Sequence, residues 1–489
     1  MSSLTNIQSI PYFIPELILV VFAIGAILLD LVNKGRNTER VAYVALAGVA
    51  ATLIAVIAVG SSEQSLFLGM VRLDSFAVFF KILILVATAV TIIFSIKSEE
   101  LDPRMKGEYY ALLIAVTFGM FLMVSSTNLL MIFISLETVS LTSYILAGFL
   151  THNPRSSEAA FKYITYGAVA SGTMLFGLSL LFGLTGTGDV VQISSRLTEM
   201  FSAGEAYPLV VLVIITFILA GIGYKMASVP FHMWSPDVYE GAPIPITAFL
   251  SVASKAAGFG LFIRLFYSTF QASNIVGSVD WSLMLSIVSA LTMTLGNLAA
   301  LPQQNVKRLL AYSSIAHGGY LLMGATLLTP EGIHAILFYF IAYLFMNLGA
   351  FFVVVLIANE LGSETIDGYR NLWSRAPFVA VSMAIFLFSL TGIPPFAGFF
   401  GKWLLFTAVI KQELYWMAVV GLLNSVVSLY YYARIIKAMF LETSDETDAI
   451  SFSWGNLALL VVFVVPTFVI GFWNTVYEVS RASLGRIVG

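Results

Sequence analysis

The sequence predicts an all-α integral membrane protein with about 14 transmembrane helices, and composition is the first reason. Of its 489 residues, 59% are hydrophobic and only 10% are charged, whereas soluble domains carry roughly 25% charged residues. A helix needs about 20 apolar residues to cross a bilayer. Fourteen such runs occur, at about 11–32, 41–60, 75–96, 109–126, 128–150, 161–186, 207–229, 243–271, 280–301, 308–328, 331–359, 377–410, 415–440 and 453–475.

The distribution of lysine and arginine predicts the orientation of these runs. Odd-numbered links and their flanks hold fourteen of these residues, whereas even-numbered links hold three: Arg72, Arg196 and Lys411. Because cytoplasmic links are enriched in Lys and Arg, we expect the odd links in the cytoplasm and both termini outside. The longest link, 187–206, is rich in Ser, Thr and Gly and is expected to run along the surface.

Two interrupted runs predict an internal repeat. The first interruption is at 221–236. The second, at 391–402, lies within a run of about 34 residues, which would be ~50 Å long as one helix, too long for a ~30 Å hydrocarbon core. Pro394 and Pro395 should split it. Discontinuous helices in corresponding positions are typical of inverted-repeat transporters. We therefore expect helices 1–3 in 1–108, two inverted five-helix repeats in 109–271 (helices 4–8) and 280–440 (helices 9–13), discontinuous helices 7 and 12, and helix 14 in 441–489.

Ionisable residues inside the runs are the candidate functional residues, because a charge at mid-bilayer costs ~2.5–3.5 kcal/mol. The strongest candidates are Glu137, Lys225, Lys255, His317 and Lys402. The structural alternative is that these residues form buried salt bridges.

Other charged or histidine residues are assigned smaller roles. Lys81 should extend to the interface, Glu16 and Asp30 should be interfacial, and Arg264 should reach an interface or pair internally. His334 is as compatible with packing as with a water chain, and His232 with capping the turn after Pro230.

The candidates suggest transfer of protons along a buried line. Low dielectric favours a neutral lysine, and a nearby carboxylate favours the charged form. At ~6 Å and an effective dielectric of ~20, such a pair is worth about 2.8 kcal/mol. Moving a proton across ~150 mV costs about 3.5 kcal/mol. Because these energies are comparable, we hypothesise that Glu137 tunes Lys225, which exchanges protons with Lys255, then His317 and Lys402.

Several other chemistries are excluded. The chain contains no cysteine, so it has no disulfide and no cysteine ligand for zinc or an iron–sulfur cluster. The four histidines are too scattered to suggest a metal site, and no basic run suggests nucleic acid. Residues 398–403 (GFFGKW) imitate the end of a phosphate-binding loop, but Trp403 replaces the required Ser or Thr. We expect no cofactor, no metal and no bond chemistry in this chain.

Five stretches resemble a known family. They are 133–137 (FISLE), 229–243 (VPFHMWSPDVYEGAP), 251–259 (SVASKAAGF), 310–317 (LAYSSIAH) and 392–402 (GIPPFAGFFGK). Together they are similar to the antiporter-like subunits of respiratory complex I. The last stretch most resembles the N-type subunits of bacterial NADH:quinone oxidoreductase, since the related M-type subunits typically have Glu where this chain has Lys402.

The resemblance implies fourteen helices with two inverted repeats, and a proton-translocating role within an NADH:quinone oxidoreductase of the bacterial inner membrane. By position, Glu137 resembles the family's fifth-helix glutamate, Lys225 its seventh-helix lysine, and Lys255 and Lys402 its eighth- and twelfth-helix lysines. FMN, iron–sulfur clusters and quinone are implied in partner subunits. The implied neighbours are small membrane subunits, another antiporter-like subunit and phospholipids.

Two alternatives remain open at this stage. The same fold and lysines occur in multi-subunit Na⁺/H⁺ antiporters. The second alternative is a purely structural subunit, in which the buried charges only hold neighbouring subunits together.

Overall fold

A computed structural model describes residues 3–33, 38–204, 208–271, 281–444 and 448–485. The link 34–37, which holds two of the counted cations, and the boundary between the two expected repeats, 272–280, lie outside the described residues. Nearly all the described chain is helical, and twelve helices are long and apolar enough to cross a membrane. The all-α integral membrane fold is therefore confirmed.

The described N-terminal part contains six α-helices, the first of them a single turn, and one hairpin. The helices are α1 (Asn6–Ser9), α2 (Ile14–Asn33), α3 (Thr38–Val59), α4 (Ser75–Lys97), α5 (Lys106–Ser125) and α6 (Leu129–Ala147). Strands β1 (Gln64–Leu66) and β2 (Val71–Leu73) form an antiparallel pair in which Ser65 faces Arg72. The alternation of apolar and polar residues along the chain did not predict this hairpin.

The middle of the chain contains both long and very short helices. They are α7 (Pro154–Thr185), α8 (Val190–Ser202), α9 (Pro208–Met226), α10 (Trp234–Gly241), α11 (Ile244–Phe249), α12 (Lys255–Phe266) and α13 (Trp281–Ala300). A π-helical turn, Leu250–Ser254, joins α11 to α12. The predicted link 187–206 is largely helix α8, whose residues Val190, Ile193 and Leu197 are buried while Val191 is exposed, so it runs along the surface of the protein with one face packed on it, as expected.

The C-terminal part begins with two long helices and then the second break. Its helices are α14 (Val306–Ala325), α15 (Pro330–Leu361), α16 (Leu372–Arg375), α17 (Pro377–Thr391), α18 (Ala397–Lys411), α19 (Tyr415–Leu441), α20 (Trp454–Val469) and α21 (Asn474–Ala482).

Each of the fourteen predicted runs coincides with helix in the described chain. The tenth run is α14, which is not among the twelve apolar candidates, and the twelfth is divided between α17 and α18. The number of membrane crossings, and the domain boundaries, stay predictions.

Both predicted breaks are present. Helix α9 ends at Met226, and a turn precedes α10; α17 ends at Thr391, and residues 392–396 separate it from α18. Proline lacks the backbone N–H that a continuous helix needs; the first break contains Pro230, and the second contains Pro394 and Pro395. Gly392, at φ +89°, adopts a left-handed conformation that is open to glycine at little cost.

The centre of the molecule is formed by helices that are enclosed on all sides. The segment Ile244–Thr269 is fully buried, and Pro330–Leu361 is almost so. Helices that are apolar all round are expected in such central positions. The helices that flank the breaks pack against these two segments, whereas the breaks themselves are partly exposed: Pro230 and Pro394 lie at the surface of the chain.

Candidate functional site

Glu137 and Lys225 lie together where α6 meets α9. Lys225 is 1% exposed, and its Nζ donates a hydrogen bond of 3.4 Å to Ser140 Oγ, one helical turn beyond Glu137. The Glu137 carboxylate interacts electrostatically with Lys225. Glu137 Oε1 is enclosed and has no hydrogen-bond partner among the described residues. The carboxylate therefore acts on the lysine across a gap.

Two glycines bring Lys225 close to Lys255. A Cβ atom on Gly258 would lie 3.5 Å from Lys225 Cβ, and one on Gly318 would lie 3.5 Å from Lys255 Nζ and 3.4 Å from Met226 O. Small residues allow membrane helices to approach closely. Helices α9, α12 and α14 therefore meet at this point, with the two lysines on either side.

Lys255 is anchored at the first turn after the π-helical segment. It is buried, and its Nζ donates to both the carbonyl oxygen and Oγ of Ser314 on α14. Single π-turns inside α-helices often occur at functional sites. Here the turn directly precedes the side chain that joins α12 to α14.

His317 lies between Lys255 and Lys402 and interacts electrostatically with both. Its Nδ1 is 2.6 Å from Tyr339 Oη, and its Nε2 is 3.4 Å from Tyr432 Oη. Tyr432 also bonds to Ser313 Oγ. A neutral imidazole has one donor and one acceptor nitrogen, so two hydroxyl partners can accommodate either tautomer.

Lys402 is positioned by the second break. Its Nζ donates to Thr391 O at 2.8 Å and to Ser425 Oγ at 2.7 Å, and it lies 4.4 Å from the centre of the Tyr320 ring. The carbonyl of Thr391 is available because α17 ends there. Such cation–π contacts are worth up to about 2 kcal/mol when desolvated.

The structure thus brings all five predicted residues together in the order Glu137, Lys225, Lys255, His317, Lys402; the last four are buried and Glu137 is partly buried. Hydroxyl groups were expected to bridge the gaps, and Ser140 belongs to the hydroxyl-bearing stretch around Glu137; the structure specifies the others as Ser314, Tyr339, Ser425 and Tyr432, and adds the ring of Tyr320. Their type and spacing carry no distinguishing signal, because serine and tyrosine occur throughout the apolar runs.

Two expectations about other charged residues were wrong. Lys81 does not extend to the interface, and Glu16 is not interfacial: both are buried and form an ion pair of 2.6 Å. For Arg264, the second of the two expected alternatives is confirmed: it pairs internally, through hydrogen bonds of 2.8 and 2.9 Å to Asp74.

Two of the other three histidines, His232 and His334, have no lysine among their described partners. His334 Nε2 is 3.2 Å from Tyr477 O on α21, which favours the packing interpretation. His232 Nδ1 has no hydrogen-bond partner among the described residues.

A charged network fixes α10, the short helix after the first break. Asp237 accepts from Lys162 on α7 at 2.6 Å and from Arg308 on α14, which also donates to Glu240 at 2.9 Å. Burial raises the pKa of Asp237, but the hydrogen bonds from Lys162 and Arg308 outweigh it and hold the pKa below its usual range. The network connects α10 and α7 to the helix that carries Ser314 and His317.

Comparison with known proteins identifies relatives over nearly the whole chain. Residues 126–428 match the family described as NADH:quinone oxidoreductase/Mrp antiporter, TM. The chain is 46% identical to NADH-quinone oxidoreductase subunit N of Anaeromyxobacter sp. (strain Fw109-5), covering 96% of this chain and 95% of that protein.

Solved structures share the fold. A chain of respiratory complex I from Thermus thermophilus matches with a TM-score of 0.78 and 29% identity, over 94% of this chain and 97% of that one. A chain of the Mrp complex from Dietzia sp. matches with a TM-score of 0.83 at 21% identity, over 97% of each chain; this second likeness concerns the fold alone.

Proposed function

Because this chain belongs to the NADH:quinone oxidoreductase/Mrp antiporter family, we propose that it moves protons through the line Glu137, Lys225, Lys255, His317 and Lys402. The chain is a membrane subunit of an NADH:quinone oxidoreductase, as its relatives' names state. The observation that carries the assignment of residues is that Lys225, Lys255, His317 and Lys402 are buried along one path, with the partly buried Glu137 at its start. Isolated charges are costly at membrane depth, so such residues usually have a function.

Each residue has a distinct part in this proposal. Lys225 accepts a proton when the Glu137 carboxylate is charged, and releases it towards Lys255 when that attraction weakens. Lys255 passes the proton through Ser314 and water towards His317, whose tyrosine partners permit either tautomer. Lys402 receives it and delivers it beyond the second break. In every step one O–H or N–H bond breaks as another forms, so no electron leaves the chain.

Electrostatics of this size can couple to a membrane potential. A charge pair at ~6 Å and an effective dielectric of ~20 is worth about 2.8 kcal/mol, and ~150 mV corresponds to about 3.5 kcal/mol per proton. Changing two such contacts is therefore enough to load or release one proton.

Redox chemistry belongs to partner subunits in this proposal. Iron–sulfur clusters require cysteine thiolates, and this chain has none. We assign FMN, the clusters and the quinone to other subunits, and to this chain a role in the H⁺-translocating part of the enzyme. We further propose a bacterial inner-membrane location with both termini on the outer side.

The alternative is a subunit of a multi-subunit Na⁺/H⁺ antiporter. It is favoured by the family description, which includes Mrp antiporters. The 46% identity to a subunit N supports the oxidoreductase instead.

Purification of the tagged chain from its native membrane tests the assignment. We expect FMN- and iron–sulfur-containing subunits to co-purify, and NADH with quinone to acidify the lumen of proteoliposomes containing the complex. A complex without these subunits that exchanges Na⁺ for H⁺ in the absence of an electron donor would refute the proposal.

A further inference from the structure

A groove with a basic rim and an apolar interior lies along the end of α19. The cavity has a volume of about 1010 Å³, at the upper limit of the ~300–1,000 Å³ typical of small-molecule sites. It is lined by the apolar side chains of Ile366, Phe388, Ile436 and Phe440, and its rim carries the charged side chains. These are Asp367, Arg370, Arg434, Lys437 and Glu442.

The rim has one more positive than negative charge. Arg370 bonds to Asp367 at 2.7 Å and to Glu442 at 3.2 Å, and Lys437 bonds to Glu442 at 3.0 Å. Arg434 donates to the carbonyl of Leu301, which leaves its positive charge without a carboxylate among the described partners. The Lys437 side chain is 64% exposed, so the rim is accessible from outside the chain.

The part of α19 that lines the groove is about as long as one leaflet of a bilayer is thick. From Tyr430 to Leu441, α19 rises about 16 Å, roughly half of a ~30 Å hydrocarbon core. The aromatic side chains Phe388 and Phe440 line this length. The distribution of basic residues along the sequence assigns the rim to the cytoplasmic side.

We propose that this groove binds a diacyl phospholipid with an anionic headgroup. The phosphodiester lies against Arg434 and Lys437, and one acyl chain occupies the apolar interior beside Phe388. Basic pockets between membrane helices are known to bind anionic headgroups on the cytoplasmic side. The single excess charge suits one phosphodiester, and the length of the interior suits an acyl chain better than a polar peptide.

Photolabelling of the intact purified complex tests the site. The complex in nanodiscs is incubated with a photoactivatable phosphatidylglycerol, and labelled peptides from residues 430–442 are quantified by mass spectrometry. We expect labelling that unlabelled phosphatidylglycerol removes, but that phosphatidylcholine and inorganic phosphate do not. The double variant Arg434→Gln/Lys437→Gln should reduce lipid affinity about 30-fold, the ratio expected for two interfacial cations.

Two single variants provide the comparison. Lys437→Gln removes a mostly exposed cation and should assemble normally, with about fivefold lower affinity. Lys411→Gln removes the same charge from the exposed end of α18, in a link assigned to the opposite side, and should leave labelling unchanged.

Four results would overturn the proposal. They are equal labelling by a phosphatidylcholine probe, full affinity in the double variant, displacement by inorganic phosphate as effective as by lipid, and protection of the peptide by a neighbouring subunit in the intact complex.

Discussion

The two halves of the molecule share a sequence of structural features. Each has a 32-residue helix that begins with proline and ends at a left-handed glycine: Pro154–Thr185 before Gly186, and Pro330–Leu361 before Gly362. In each, an asparagine that caps a helix forms an isolated bridge, Asn128 with Asp189 and Asn305 with Thr365. These parallels support the predicted repeats.

The halves differ in how their lysines are held. Lys225 precedes the first break and interacts with the Glu137 carboxylate, whereas Lys402 follows the second break. Glu137 follows the capping residue Asn128 by nine positions (137 − 128), and Ser314 follows the capping residue Asn305 by nine positions (314 − 305). The second half therefore has a serine where the first half has the glutamate. Among the described residues, Lys402 has neutral partners: Thr391, Ser425 and the Tyr320 ring.

This difference indicates a division of tasks. A carboxylate can change the proton affinity of its lysine by several kcal/mol when the separation changes, whereas hydroxyls and a carbonyl provide a more constant environment. We infer that the first half is where proton affinity is switched, and the second is where a proton is received and passed on.

The largest effect is expected from removing the switched lysine. Lys225→Ala should leave assembly intact and lower redox-coupled proton transport about 100-fold, because a positioned proton carrier is lost. Lumen acidification in proteoliposomes, normalised to assembled complex, measures this. Full transport in the variant would exclude Lys225 from the path, and Lys411→Ala serves as the exposed control.

The second lysine should tolerate one kind of replacement. Lys402→Ala should reduce transport about tenfold, and Lys402→Glu should be milder because a carboxylate also exchanges protons. The same transport assay compares them. If both variants lose equal activity, Lys402 does not act as a protonation site.

Removing the carboxylate should have a moderate effect that depends on Lys225. Glu137→Gln should lower transport about fivefold, at the low end of coupling between sites, because it acts across a gap. If Glu137 acts only through Lys225, the double variant Glu137→Gln/Lys225→Ala should transport protons as fast as Lys225→Ala alone. A further fivefold loss in the double variant would contradict the proposed coupling.

Glu16→Gln supplies a matched control for Glu137→Gln. It removes another buried carboxylate beside a lysine, Lys81, outside the proposed line. Its yield should fall, because an unpaired buried charge destabilises a protein. Its transport per assembled complex should stay at the wild-type value, and a transport loss equal to that of Glu137→Gln would remove the distinction between the two pairs.

The smallest effect is expected at the aromatic contact of the second half. Tyr320→Leu should slow transport about threefold, since a cation–π contact is lost, while Tyr320→Phe retains the ring and should be close to wild type. The steady-state transport rates of the two variants show whether the ring of Tyr320 or its hydroxyl supports transport. The hydroxyl donates a hydrogen bond to Gly421 O, and this bond is lost in Tyr320→Phe.

The helical breaks and the five ionisable candidates could be predicted because each depends on local chemistry. Proline removes a backbone donor wherever it occurs, and a charge in an apolar run is conspicuous. Lys81 shows where this reasoning fails: its position near the start of a run suggested the interface, but its partner Glu16 is 65 residues away. Nothing in the local sequence indicates that pairing.

By itself, the sequence determined that the chain is a multi-helix membrane protein, where its helices break and which side chains are out of place in hydrocarbon, because these properties follow from composition and backbone chemistry. The tertiary structure decided which of those side chains meet. Packing at Gly258 and Gly318 places Lys255 near Lys225, and the end of α17 supplies a carbonyl to Lys402. Such contacts join residues from different helices, and their energies depend on distances that no single segment fixes.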